Sequence, residues 1–176
     1  LPFDHPASVG AIGVTGTLAA DALAAEADVV IGVGTRYSDF TTASRTVFAD
    51  PAVRFVSLNV AAHDAHKLSG AALVADARVG LDQLRAALGG WSAPEAHTAR
   101  ARRLAREWDA VVQGVYDHAS ATPPTQAAVI GVVNRVTRPQ DVVVSAAGSL
   151  PGDLHRLWRT RDRKGYHVEY GYSCMG

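Results

Sequence analysis

The run Val29-Val30-Ile31-Gly32-Val33 constrains the fold of this chain more than any other segment. It follows an alanine-rich segment at residues 17–27 and ends at Gly34. A short, wholly apolar run between turn signals predicts a parallel strand covered on both faces. Since parallel strands need crossover connections, the chain should alternate strands with helices.

The rest of the first half continues this alternation. Residues 54–60 and 72–76 are predicted as further strands, and residues 79–88 as a helix that ends at Gly89-Gly90. Short links between such segments predict an α/β fold, with a doubly wound domain built on a parallel sheet.

A charged helix is predicted from residue 95 to about residue 116. Arg102, Arg103 and Arg106 alternate there with Leu104 and Trp108, so we interpret the arginines as a solvated face, with an anion site as the alternative. A proline-containing stretch, a helix at residues 125–136 and a strand beginning at Val142 follow and predict a second α/β domain.

These segments give three predicted regions. Residues 1–90 would form a first α/β domain, residues 91–120 a connecting helix and linker, and residues 121–176 the start of a second domain. Because the chain opens at Leu1 without an initiator methionine, we expect a piece of a longer protein, truncated at both ends.

Composition excludes several classes of protein. Seventeen basic and seventeen acidic residues cancel, which removes the electrostatic argument for nucleic-acid binding. No apolar run has the length of a membrane span. The single cysteine excludes a disulfide framework and fits a cytoplasmic protein. Seven histidines lie without metal-ligand spacing, so no zinc site is expected.

The first glycine turn, Gly32-Val33-Gly34, stands at the carboxyl end of the opening strand, where ligands of open α/β sheets gather. The third glycine of a dinucleotide fingerprint is absent. A tight loop with Asp39 capping the next turn is therefore favoured, while dinucleotide binding and a subunit-contact role remain alternatives.

The second glycine turn follows the strand at Val142 and contains Gly148, Ser149 and Leu150. Glycine lets a ligand approach the backbone, and a helix expected near Pro151 would direct free amides at an anion. This turn predicts a diphosphate site. His155 on that helix is interpreted as structural or catalytic.

Three motifs carry a resemblance to a known family. They are the run from Gly32 to Ser44, the run from Ala146 to His155, and the C-terminal block from Lys164 through Tyr170-Gly171-Tyr172-Ser173-Cys174-Met175-Gly176. Together they resemble the thiamine diphosphate-dependent 3D-(3,5/4)-trihydroxycyclohexane-1,2-dione hydrolases of myo-inositol catabolism, within the acetolactate synthase-like superfamily.

The resemblance implies a carbon–carbon bond hydrolase that uses thiamine diphosphate and Mg²⁺, with the metal ligands outside this chain. It implies a cyclic polyhydroxy dione as substrate, and a homo-oligomer in the full-length enzyme. Gly148, Ser149 and Leu150 would contact the diphosphate. Met175 would wedge under the cofactor, and the carbonyl of Ser173 would accept a hydrogen bond from the aminopyrimidine.

Several interpretations stay open. His155, His167 and Glu169 are candidates for substrate contact or proton transfer. The parent protein could instead be an acetolactate synthase-like ligase or decarboxylase, or the chain could be a nucleotide-binding or structural α/β module. The resemblance implies an essential glutamate and a metal-binding segment that these residues do not contain, so the chain alone is expected to be inactive.

Overall fold

The computed structural model describes residues 1–68, 70–118 and 122–169. In chain order the described elements are α1 (Leu18–Ala25), β1 (Val29–Val33), α2 (Asp39–Thr42), β2 (Arg54–Asn59), α3 (Ala62–Ala65), β3 (Ala71–Val74), α4 (Ala77–Leu88), α5 (Glu95–Asp117), α6 (Gln126–Val136), β4 (Val143–Ser145), α7 (Ser149–Leu157) and β5 (Tyr166–Val168).

The chain divides into two compact units. Residues Ile12–Val14 and Asp21–Thr98 form the three-strand unit. Leu1–Ala11, Thr15–Ala20 and the described residues from Ala99 onward form the two-strand unit. The three regions predicted from the sequence are not tested by this division and stay a prediction.

Parallel pairing organises the three-strand unit. Its strand order is β1-β2-β3, and both neighbouring pairs are parallel. Gly32 of β1 pairs with Ser57 of β2, and Leu58 of β2 pairs with Leu73 of β3. The predicted α/β class with parallel sheets is confirmed.

The coverage predicted for β1 is wrong among the described residues. Ile31 is 51% exposed and Val33 39% exposed, whereas Gly32 is buried. The physical reason is that Ile31 and Val33 point to the same face of β1, opposite to Gly32, and this face meets solvent in the described part of the chain.

The two-strand unit is built on the parallel pair β4-β5, in which Val143, Val144 and Ser145 pair with Tyr166, His167 and Val168. Its core consists of Val112 and Tyr116 of α5, Ile130 of α6 and Leu157 of α7. The hydroxyl of Tyr116 donates a 2.6 Å hydrogen bond to the Leu157 carbonyl, which satisfies the buried phenol.

The two faces of α5 differ in burial. Leu104, Val112 and Tyr116 are buried, so the helix contributes to the core of its unit. Arg102, Arg103 and Arg106 are exposed on the other side. Among the described helices, none is both long enough and apolar enough to cross a membrane.

The contact between α5 and α6 makes Gly131 hard to replace. A Cβ there would lie 2.7 Å from Cδ1 and 2.8 Å from Cγ of the Tyr116 ring. We expect Gly131→Ala to lower the free energy of unfolding by about 1–3 kcal/mol, because the core would be overpacked. Urea denaturation of the purified chain measures this.

Gly114 on α5 is the matched control, since a Cβ there meets nothing within 4 Å. Gly114→Ala should raise the free energy of unfolding by about 0.5–1 kcal/mol through reduced backbone entropy of the unfolded chain. Equal effects of the same sign for the two variants would contradict the packing described.

Candidate functional site

The candidate site begins where β4 ends. After Ser145 the chain passes through Ala146 and Ala147 to Gly148, and α7 starts at Ser149, two residues earlier than predicted from Pro151. Gly148 has φ +130° and ψ −174°, in a region that L side chains rarely adopt. Only glycine holds this turn without strain.

The first turn of α7 presents backbone donors. No side chain caps its N-terminus, and the first described backbone bond runs from the Gly152 amide to the Gly148 carbonyl at 3.2 Å. The amides of Ser149 and Leu150 precede that bond, while Pro151 has no N–H. Gly148, Ser149 and Leu150 are all exposed. This arrangement suits an anion.

A buried hydroxyl lies at the end of the same strand. The Oγ atom of Ser145 has no hydrogen-bond partner among the described residues. A buried hydroxyl without a partner is unfavourable, and a ligand at the turn that follows could satisfy it. Sequence reasoning missed Ser145, because a serine inside an apolar strand carries no motif; its orphaned atom appears only in the structure.

β5 places Glu169 at the edge of the two-strand sheet where β4 ends. The amide of Glu169 donates to the Ser145 carbonyl at 3.0 Å, and the Val143 amide donates to the Gly165 carbonyl at 2.9 Å. The carboxyl ends of the two parallel strands therefore bring Glu169 beside the strand that leads into the glycine turn. Its side chain is exposed.

His155 lies away from that edge, near the C-terminal end of α7. Its Nδ1 atom is hydrogen-bonded to Thr15 Oγ1 at 2.9 Å, and its ring is stacked on Tyr166 with centroids 6.1 Å apart. Together with Leu154 and Trp158 it lines a cavity of about 470 Å³. These contacts pack His155 against Thr15 and Tyr166, and the choice between a structural and a catalytic histidine stays a prediction.

His167 is directed elsewhere. It pairs with Val144 across the strands, and its Nε2 atom donates to the Lys164 carbonyl at 2.9 Å. The exposed ring thus makes a local hydrogen bond across residues 164–167. Whether His155, His167 and Glu169 contact substrate or transfer a proton stays a prediction. Ser173 and Met175 lie outside the described residues.

Within the described ranges, no group of three or more His, Cys, Asp or Glu side chains is placed to hold a metal ion.

In the first glycine turn, side chains of the chain itself occupy the space beside Gly32 and bond to the loop carbonyls. A Cβ on Gly32 would lie 2.1 Å from the Tyr37 hydroxyl, so this glycine makes room for Tyr37. The Thr35 carbonyl accepts from Asn59 Nδ2 at 3.1 Å, and the Arg36 carbonyl from Lys67 Nζ at 3.0 Å. These contacts favour the tight-loop interpretation over dinucleotide binding.

One detail of that interpretation is wrong. Ser38, not Asp39, caps α2, because Ser38 Oγ accepts from the Thr41 amide at 3.3 Å. Asp39 is the first helical residue and stabilises the helix only through its charge near the N-terminus. The serine hydroxyl stands one residue earlier, where the cap position requires extended backbone.

His155 should titrate below its ordinary pKa of 6.5, because burial disfavours its charged form and the Arg156 guanidinium adds to the effect. Between the lowered folded pKa and 6.5 the unfolded chain binds more protons. The free energy of unfolding should therefore fall as pH drops below about 6.5.

An NMR titration of the His155 ring would measure this pKa directly. Denaturation at about pH 7.5 and about pH 5.5 should show a smaller pH dependence in His155→Gln than in the unmodified chain. A midpoint at or above 6.5, or an unchanged pH dependence in the variant, would contradict the burial of the ring.

The sequence of the chain is similar to those of known proteins. Residues 1–84 match the family model for the central domain of thiamine pyrophosphate enzymes. The chain is 42% identical to a 3D-(3,5/4)-trihydroxycyclohexane-1,2-dione hydrolase of Geobacillus thermodenitrificans, over 98% of the chain and 30% of that protein. It is 39% identical, with the same coverage, to a 3D-(3,5/4)-trihydroxycyclohexane-1,2-dione hydrolase of Bacillus cereus.

The chain spans about 30% of the length of these curated relatives. The resemblance inferred from the sequence motifs is confirmed, both for the central domain and for the hydrolases that carry these names.

Proposed function

Because residues 1–84 match the central domain of the thiamine pyrophosphate enzymes, we propose that the chain is a segment of a thiamine diphosphate-dependent hydrolase. The enzyme would cleave a carbon–carbon bond of trihydroxycyclohexane-1,2-dione, giving 5-deoxyglucuronate in myo-inositol catabolism. The observation that carries the proposal is the uncapped Gly148 turn at the end of β4, in a chain 39–42% identical to hydrolases of that name.

The residues at the turn fit a diphosphate. The amides of Ser149 and Leu150 would donate to its oxygens, and the orphaned hydroxyl of Ser145 is a further donor at the strand end. Gly148 leaves the approach open, since a Cβ there would meet only Pro151 Cδ at 3.7 Å. When bound, thiamine diphosphate would supply a nucleophilic carbon and an electron sink for bond cleavage.

Different residues of the chain would then bind the diphosphate, orient the amides and contact the substrate. Ser149 and Leu150 bind, and the α7 dipole adds to the attraction. Gln126 Nε2 donates to Asp153 Oδ2 at 2.6 Å and so ties α7 to the start of α6, which fixes the direction of the amides. Glu169 is proposed to contact substrate, because its backbone lies at the same strand edge.

Further features of the parent enzyme are part of the proposal. Ser173 and Met175 would hold the aminopyrimidine and wedge the cofactor. Mg²⁺ would bind through ligands outside this chain, and the enzyme would be a cytoplasmic homo-oligomer that binds neither nucleic acid nor membrane. Residues 1–90, 91–120 and 121–176 would be the middle domain, the connecting helix and the start of the diphosphate-binding domain.

Changing the turn should change cofactor affinity. Gly148→Val places a side chain at φ +130° and should displace the Ser149 and Leu150 amides. Losing such charge-assisted bonds should weaken thiamine diphosphate binding about tenfold, while binding of thiamine, which lacks the diphosphate, stays unchanged. Isothermal titration measures both ligands.

Gly152→Ala is the matched control on the same helix. Its nearest contact would be Thr15 Cγ2 at 3.4 Å, and its backbone is helical. It should retain the affinity of the unmodified chain. Tighter binding of FAD or NAD than of thiamine diphosphate would instead favour the nucleotide-binding module.

The substrate is tested by assaying a full-length protein, as long as the hydrolase relatives, that contains this segment. It should turn over the cyclic dione and not pyruvate, and activity on pyruvate alone would favour an acetolactate synthase-like enzyme. The chain of 176 residues by itself should be inactive, because it spans about 30% of the length of the hydrolase relatives. Turnover of the dione by this chain would contradict that division.

A further inference from the structure

A second cavity of the two-strand unit is lined by basic side chains that the proposed function does not use. It has a volume of about 280 Å³ and lies between the N-terminal segment and α5. His5 and Ser8 line it from the segment, and Arg102 and Arg106 line it from the helix. We propose that this cavity binds a small dianion of the phosphate type.

The two arginines are uncompensated. They stand four residues apart on α5 and therefore on the same face of the helix, where like charges repel each other. Within the described part of the chain, neither guanidinium makes a hydrogen bond or ion pair. A bound dianion would relieve the repulsion, since the guanidinium fork matches the oxygens of a phosphate.

The acidic side chain of α5 that lines the cavity, Asp109, already has a partner. Asp109 also lines the cavity, but its Oδ1 atom accepts from Arg159 Nη2 at 2.7 Å and from Arg159 Nε at 3.0 Å. Its charge is therefore balanced by Arg159. Asp4 is the other carboxylate in the lining, and no described ion pair joins it to Arg102 or Arg106.

The N-terminal segment adds neutral donors. The Ala7 amide donates to His5 Nδ1 at 3.1 Å, which assigns the proton of the neutral ring to Nε2. The Nε2–H group and the Ser8 hydroxyl are thus donors among the lining residues. An oxyanion can accept from them as well as from the arginines.

The wall formed by the segment is fixed in place. The Phe3 amide donates to the Thr160 carbonyl at 2.8 Å, and the Arg159 guanidinium lies 5.6 Å from the centre of the Phe3 ring. The Ser8 amide donates to the His5 carbonyl at 2.8 Å, which folds the segment into a turn. Arg159 therefore holds both walls, through Asp109 on the helix and Phe3 on the segment.

The test is a titration of the chain with inorganic phosphate, followed by NMR of the backbone amides at constant ionic strength. Binding should shift the amides of Ser8, Ala105 and Asp109. Arg102→Gln and Arg106→Gln should each weaken phosphate binding about fivefold or more, because each removes a charge-assisted interaction. Titration with succinate distinguishes a phosphate site from a general carboxylate site.

Arg103→Gln is the matched control. Arg103 lies on the same helix, but its Nε atom pairs with Glu107 Oε1 at 3.6 Å and it does not line the cavity. It should leave phosphate affinity unchanged. Asp4→Asn should increase the affinity, because it removes a competing negative charge from the lining.

Three results would overturn the proposal. One is an equal loss of affinity in Arg103→Gln and Arg106→Gln, which would indicate screening by a charged surface. Another is tighter binding of succinate than of phosphate. The third is a set of shifts confined to Ser149 and Leu150, which would place the phosphate at the glycine turn. Gly148→Val separates the two sites, since it should leave binding at the cavity intact.

Discussion

Parallel strand pairing is the constraint on which both units of this protein depend. Parallel neighbours cannot be joined by a tight hairpin, so a crossover joins the strands of each described pair, and the carboxyl ends of neighbouring strands meet at one edge. β4 and β5 show the consequence, because their pairing brings the Glu169 amide to the Ser145 carbonyl. The candidate site is a product of this geometry.

The two glycine turns illustrate how similar sequences acquire different roles. Gly32 is covered by the Tyr37 hydroxyl, and the carbonyls of the loop that follows are taken by Asn59 and Lys67. Gly148 instead precedes a nine-residue helix whose first amides are exposed and uncapped. What separates the turns is the available space and the length of the helix behind each one, not the glycines themselves.

Arg159 connects several elements of the two-strand unit. Its guanidinium contacts Asp109 and Gln113 on α5 and packs against the rings of Phe3 and Tyr116. The core beneath it contains the Tyr116 hydroxyl bonded to the Leu157 carbonyl. One partly buried cation, just after α7, thus contacts both the N-terminal segment and α5, the two elements that line the cavity.

The sequence by itself determined the fold class, the places of the longer elements within two residues, and the resemblance that the hydrolase relatives confirm. Apolar periodicity and glycine turns are patterns of neighbouring residues, so they can be recognised in the amino-acid sequence alone. Only the tertiary structure decided that one face of β1 exposes Ile31, that His155 faces Thr15 and Tyr166, and that Ser145 carries an orphaned hydroxyl. Burial and hydrogen-bond partners depend on residues distant in sequence, and no local pattern encodes them.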